Sequence, residues 1–365
     1  MPDTTPKILG TTLEALGHDT SSALWGSELL LSQPDVIQEV HRRYWEAGSD
    51  LVESATYQLT PQNLQEHLSI SPSQASNILQ TGVNVVSDSA PAPSGPSRPE
   101  RGVVLSMGPF GSTLQPGQEY AGIYPAPFGP GGSANCFLED QTDQEEAAVE
   151  ALAEHHLSKL LAIAADEQTW SKVEWIAFET IPVLHEARAI RRAMGRLEKK
   201  RGGGRKKFWI VAPFPDGLHP QILPSGKHAP LSLYLSTLLG LSQEEPVPDG
   251  VGVNCTNPSY LPTILGELTS LVTAYSTSVT KPWLVFYPDG GQVYDVVSRT
   301  WTVAPSSPAN AQDWAERIGD LAIRYGHAHT EDQSETRIWR GIIVGGCCKS
   351  SFDEIKALRT VIDRA

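Results

Sequence analysis

Short runs of apolar, often β-branched residues recur along the chain, and most are followed by a stretch with amphipathic, helical character. The clearest runs span residues 50–55, 102–107, 173–178, 208–212, 250–254, 283–287 and 339–344, and a weaker one at 7–9 supplies a first. Amphipathic stretches lie at 34–47, 145–165, 185–197, 231–241, 261–274 and 308–325. Strands alternating with helices of this length imply right-handed βαβ units and a parallel sheet. Eight such units in a chain of this size predict an α/β fold, a (β/α)8 TIM barrel with loop insertions, rather than two doubly wound domains. No repeat is visible and no linker divides the chain, so residues 1–365 read as one domain. The Pro/Ser-rich 90–99, the Gly/Pro-rich 124–134 and the Pro-rich 213–228 read as insertions on the barrel rim.

Composition narrows the partners. Of the 365 residues, 40% are hydrophobic and 19% charged, which is ordinary for a globular chain. A net charge of -14 argues against nucleic acid or an anionic membrane as partner. The one basic run, RLEKKRGGGRKK at 196–207, has central glycines and no aromatics, and reads as a solvated loop. No stretch reaches the ~20 apolar residues of a membrane span. The N-terminus lacks the basic and apolar regions of a signal peptide. Four cysteines are too few for a disulfide scaffold. The expectation is a cytoplasmic protein with reduced thiols.

Strand ends at the C-terminal face of a barrel form its active site. Cys255 directly follows the run at 250–254, and Cys347 and Cys348 follow GIIVGG. Three thiolates gathered there can hold Zn2+ and leave its fourth position open. Adjacent cysteines reach one ion only where the backbone turns sharply, which Gly345 and Gly346 permit. Spacing alone leaves a second reading standing, in which Cys255 is a small buried hydrophobe and the pair is incidental. Cys136, in a Gly-rich loop, reads as a bystander. A three-thiolate zinc is a poor Lewis acid, but it suits binding a substrate thiol and lowering its pKa below the free value of about 8.5. The matching electrophile is soft, such as the methyl of a sulfonium, and no general base is needed once the thiol is deprotonated.

The chain resembles the homocysteine S-methyltransferases in ATYQLT (55–60), SMGPFGSTLQPGQEYAGIY (106–124), FETIPVLHEA (178–187), GVNCTNP (252–258), FYPDGGQVYD (286–295) and GGCCKS (345–350). GVNC together with GGCC is specific; either alone is weak. The resemblance is to the branch that uses S-methylmethionine or S-adenosylmethionine. It implies a zinc-dependent TIM barrel in which Cys255, Cys347 and Cys348 are the metal ligands and the homocysteine sulfur takes the fourth position. Methyl transfer from the sulfonium donor then yields methionine, with no catalytic group beyond the zinc site. It further implies that Glu179 takes the substrate ammonium, and a carboxylate at the end of the fourth strand is physically suited to that; the alternative is a capping Glu. Asn254 and Thr56 also sit at strand ends, within reach of hydrogen bonds to substrate, and Asn254 reads equally as a turn residue. Tyr120 and Tyr287 fit either cation–π flanking of a sulfonium or packing. His155 and His156 read as structural or exposed. The alternatives in function are a relative acting on another thiol or selenol, such as selenocysteine, and a zinc-binding protein without turnover.

One departure stands out. The family's first strand ends in Asp-Gly-Gly, whereas here KILGTTLE runs from Lys7 to Glu14 with no Asp-Gly pair. The resemblance places that Asp near the substrate amino group. Its loss removes one charge-assisted hydrogen bond, about 1.5–3 kcal/mol. Where nothing replaces it, that corresponds to a roughly 10- to 100-fold weaker grip on substrate.

Overall fold

Inward and outward side chains alternate along each strand, and both faces are apolar. On one face Val104, Trp175, Ala177, Trp209, Val285 and Ile343 meet one another. On the other, Leu105, Ile176, Phe208, Ile210, Phe286 and Val344 pack with the helices. Continuous hydrophobic strands of this kind are what a parallel sheet covered on both sides requires. The structure, a computed structural model, describes residues 3–6, 9–18, 24–91, 101–202, 204–240, 245–275, 281–295, 300–303, 307–327 and 337–365.

Ten strands are described: β1 (Asp3–Pro6), β2 (Leu51–Glu53), β3 (Gly102–Met107), β4 (Val173–Phe178), β5 (Lys207–Ala212), β6 (Gly250–Asn254), β7 (Trp283–Tyr287), β8 (Gln292–Asp295), β9 (Thr300–Val303) and β10 (Ile342–Gly346). Eight of them form one sheet in the order β1-β10-β7-β6-β5-β4-β3-β2, every pair parallel. The sheet curls until its edge strands β1 and β2 lie side by side, with Cα atoms within 8 Å. Among the described residues no hydrogen-bonded ladder joins those two edges. Gly252 marks one close approach, since a Cβ there would land on the Val285 carbonyl oxygen. No helix among the described residues is long and apolar enough to cross a membrane.

The α/β class, the parallel order and seven of the eight expected strand regions are as the pattern predicts. The first strand is not. It lies at Asp3–Pro6, and Leu9 already opens the helix Leu9–Ala15; Lys7 and Ile8 fall outside the described residues. Thr4 and Thr5 favour extended backbone, and so does standing before Pro6. The last strand is shifted from 339–344 to Ile342–Gly346. Gly345 and Gly346 are therefore strand residues paired with Thr5 and Pro6, not the turn itself. The basic run is also not a loop throughout. The helix Leu184–Arg201 continues through its first half, because Arg192 and Arg196 pair with Glu146 and Glu150 on the helix Thr142–Ala164. Gly202, at φ +69, ends that helix. The hairpin of β8 and β9 carries no sequence signal that we read. Much of the expected insertion at 90–99 lies outside the described residues.

Buried histidines, His41 and His219 among them, should make the fold acid-sensitive. His41 is 2% exposed, neither of its ring nitrogens has a hydrogen-bond partner among the described residues, and burial pulls its pKa down to about 3. His219 is likewise held near 3 by burial. Both lie below the ordinary 6.5, so the unfolded chain takes up these protons first. Their stability is whole above pH 6.5 and is lost as pH falls toward 3, by about 1.4 kcal/mol per pH unit for each. His41→Leu should raise the denaturation midpoint and flatten its dependence between pH 6.5 and 4.5 by about one proton. An unchanged slope in denaturant titrations would remove His41 from the account.

Candidate functional site

The loops that leave β6, β7 and β10 are hydrogen-bonded to one another, and this gathers the cysteines. Cys255 follows Asn254 at the end of β6, in the left-handed region at φ +46, and its N–H donates to the Tyr287 carbonyl at 3.1 Å. Cys347 donates its N–H to the Pro288 carbonyl at 2.6 Å, and the Cys348 carbonyl accepts from the Gly290 N–H at 2.8 Å. The bend that lets adjacent cysteines face one place comes after Cys347: its carbonyl accepts the Ser350 N–H at 3.1 Å, and Lys349 stands at φ +61. Gly346 serves the close approach of Ser350, whose Cβ would lie 2.7 Å from a Cβ added at that glycine. The sulfurs of Cys255, Cys347 and Cys348 lie within 4.8 Å of one another.

Two of the sulfurs are joined. Cys255 and Cys347 form a disulfide with Cα atoms 5.4 Å apart, where the sequence led us to expect free thiols. The reason is proximity: side chains placed to share one ion are also within disulfide reach. Holding a metal with all three sulfurs therefore requires reduction.

Beside the sulfurs lies a polar patch on the inward face of the sheet. Glu179, one residue beyond β4, is fully buried. Its Oε1 accepts from the Ser106 hydroxyl at 2.5 Å, and its Oε2 from the Tyr287 hydroxyl at 3.2 Å. Burial and the carboxylates of Glu179 and Glu53 keep the Tyr287 phenol far from ionising, so it stays a donor. The Trp209 indole N–H donates to the same phenol at 3.2 Å. Glu53 closes β2, buried on the face it shares with Leu51. Lys159 reaches in from the helix Thr142–Ala164 and donates to the carbonyls of Thr56 (2.6 Å), Tyr57 (3.2 Å) and Ser106 (3.3 Å). Burial lowers its pKa to about 7, opposed by the Glu179 carboxylate.

Thr56 and Asn254 are both buried at strand ends, and their polar atoms have partners within the chain. The Thr56 hydroxyl donates to the Ser106 carbonyl at 2.8 Å and lies 2.7 Å from that of Ser54. Asn254 accepts the Thr180 N–H at 2.9 Å and donates to the Thr180 hydroxyl at 2.8 Å and to Cys255 Sγ at 3.3 Å. Tyr287 is a hydrogen-bonding member of the patch. Tyr120 is 41% exposed, with its hydroxyl in hydrogen-bonding reach of Cys348. The segment after β3 is anchored by a further buried carboxylate, Glu186, which accepts from the Phe110 N–H (2.6 Å) and the Tyr124 hydroxyl (2.6 Å) and lies 3.0 Å from His156 Nε2. Cys136 stands apart, accepting from the Gln221 amide at 3.3 Å. Ser106, Thr180, Lys159 and Glu53 escaped the sequence reading. For Glu53 and Ser106 a signal existed: each is a polar residue two positions after an inward apolar one, at a strand's C-terminal end.

Comparison with known proteins matches this arrangement. The family model described as homocysteine S-methyltransferase covers residues 9–362. The chain is 25% identical to the homocysteine S-methyltransferase YbgG of Bacillus subtilis, over 98% of this chain and 94% of that one. It is 26% identical to homocysteine S-methyltransferase 4 of Zea mays, over 98% and 88% respectively. Among solved structures, the metallated form of the Escherichia coli homocysteine methyltransferase MmuM superposes with a TM-score of 0.65 at 21% identity, covering 99% of this chain and 96% of that one. The oxidised form of the same enzyme superposes equally well, at 0.65. With the family model spanning nearly the whole chain, this protein belongs to the homocysteine S-methyltransferases, a family of methyltransferases.

Proposed function

We propose that the chain moves a methyl group from S-methylmethionine or S-adenosylmethionine to homocysteine, with Zn2+ held by Cys255, Cys347 and Cys348. The observation that carries this reading is the cluster of three sulfurs within 4.8 Å at the C-terminal end of the sheet. An all-thiolate donor set is soft and suits zinc over the hard cations. Bound there, zinc supplies an open fourth position at which a substrate thiol is held as thiolate near neutral pH. Glu179 receives the substrate ammonium, with Ser106 and Tyr287 fixing the carboxylate by donating to it. Thr56, through Ser54 and Ser106, keeps the ends of β2 and β3 together beneath the substrate, and Lys159 ties the same carbonyls. The substrate sulfur then attacks the donor's methyl carbon. A new S–CH3 bond forms, the old one breaks, and the donor leaves as a neutral thioether with the electron pair.

This reading takes the chain as one domain acting in the cytoplasm, its curled sheet closed as a TIM barrel by β1 against β2. Methyl-labelled donors, supplied one at a time with homocysteine to the reduced, zinc-loaded chain, should place label in methionine from at least one of them. Zinc-loaded protein that labels methionine from neither would overturn it.

A further inference from the structure

Two donors converge on the sulfur of Cys255. The Asn254 amide, fully buried, has its oxygen occupied by the Thr180 N–H at 2.9 Å, and this fixes which way the amide faces. Its nitrogen therefore must point at the Thr180 hydroxyl (2.8 Å) and at Cys255 Sγ (3.3 Å). The Thr180 hydroxyl is itself aimed at the same sulfur from 3.9 Å. Both backbones that present these groups are unusual: Thr180 stands at φ +59 and Cys255 at φ +46. A β-branched residue in the left-handed region is costly and persists only where its surroundings hold it. Here the Asn254 side chain supplies that hold, bridging the end of β6 to the turn after β4.

A disulfide sulfur is a weak acceptor, whereas a thiolate is a strong one. Three thiolates on one dication also leave a net negative charge, which nearby donors offset. The geometry points to Asn254 and Thr180 as positioning residues that hydrogen-bond the Cys255 thiolate and fix its direction toward the metal position, and so set how tightly the chain keeps its metal. This assigns Asn254 to the metal ligand rather than to the substrate, and it rests on the three-thiolate zinc reading above.

The test is zinc affinity, measured on the reduced full-length chain by competition with a chromogenic chelator. Asn254→Leu removes the bridge and should weaken zinc binding roughly 10- to 100-fold, the usual range for groups that orient a metal ligand. Thr180→Val removes one donor with little change of shape and should weaken it about 10-fold. The double variant should lose less than the product of the two, because both act on one sulfur. Thermal midpoints of the metal-free forms supply the second readout, since a packing role alone would lower those and leave the dissociation constant unchanged. Zinc affinity within threefold of the parent in both single variants would overturn the inference, and if Asn254→Leu fails to fold, Thr180→Val decides it alone. A parent chain that takes up no zinc when reduced would overturn the metal reading and this one together.

Discussion

Cys347→Ser should lose zinc and methyl transfer in one step. Serine nearly matches cysteine in shape, and the backbone bonds that hold this position, to the Pro288 carbonyl and from the Ser350 N–H, do not involve the side chain. The fold should therefore survive. What changes is the donor: a hydroxyl stays protonated near neutral pH and is hard, so a three-thiolate site becomes a two-thiolate one. Without the metal, a thiol of pKa about 8.5 is only a few per cent ionised at pH 7. We expect zinc to fall from one per chain to near zero after chelator washing, and turnover to fall by about 100-fold or more with it. Stoichiometric zinc in the washed variant would contradict the ligand assignment.

Glu179→Gln should raise the homocysteine KM by roughly 10- to 100-fold, the equivalent of one charge-assisted hydrogen bond of about 1.5–3 kcal/mol. Bound zinc should not change. Gln is isosteric and keeps one carbonyl oxygen, so the Ser106 hydroxyl or the Tyr287 phenol retains an acceptor while the negative charge disappears. The penalty should vanish with 4-mercaptobutanoate, which carries the thiol but no ammonium. An equal KM increase for both thiols would mean that Glu179 only supports the fold. On this proposal Glu179 acts without help from the end of β1, where Pro6, paired with Gly346, has neither a carboxylate nor a backbone N–H.

The gathering of the three cysteines was legible in the sequence because strands are followed by helices and the cysteines stand directly after strands. Cys255 after GVGVN and Cys347–Cys348 after GIIVGG needed only correct strand ends to converge. Even so, the bend at 347–350 was misplaced by two residues, because Gly345 and Gly346 read as a turn whereas both are strand residues, Gly346 packing closely against Ser350. Glu179 was legible as a strand-end carboxylate, but not its donors, since Ser106 and Tyr287 come from strands 73 and 108 residues away in sequence. Lys159 was hidden for a physical reason: a lysine on an amphipathic helix reads as solvated, and it is the carbonyls of Thr56, Tyr57 and Ser106, with the Glu179 carboxylate, that make its burial tolerable. The disulfide was not legible either, because composition speaks to the compartment and not to how near two thiols stand.

X-ray absorption at the zinc edge tests the central claim most directly. In the reduced, zinc-loaded chain the metal should show three sulfurs at about 2.3 Å and one lighter neighbour; adding homocysteine should replace that neighbour with a fourth sulfur at the same distance. A sulfur count that stays at three when homocysteine is present, or that begins below three in its absence, would contradict the account.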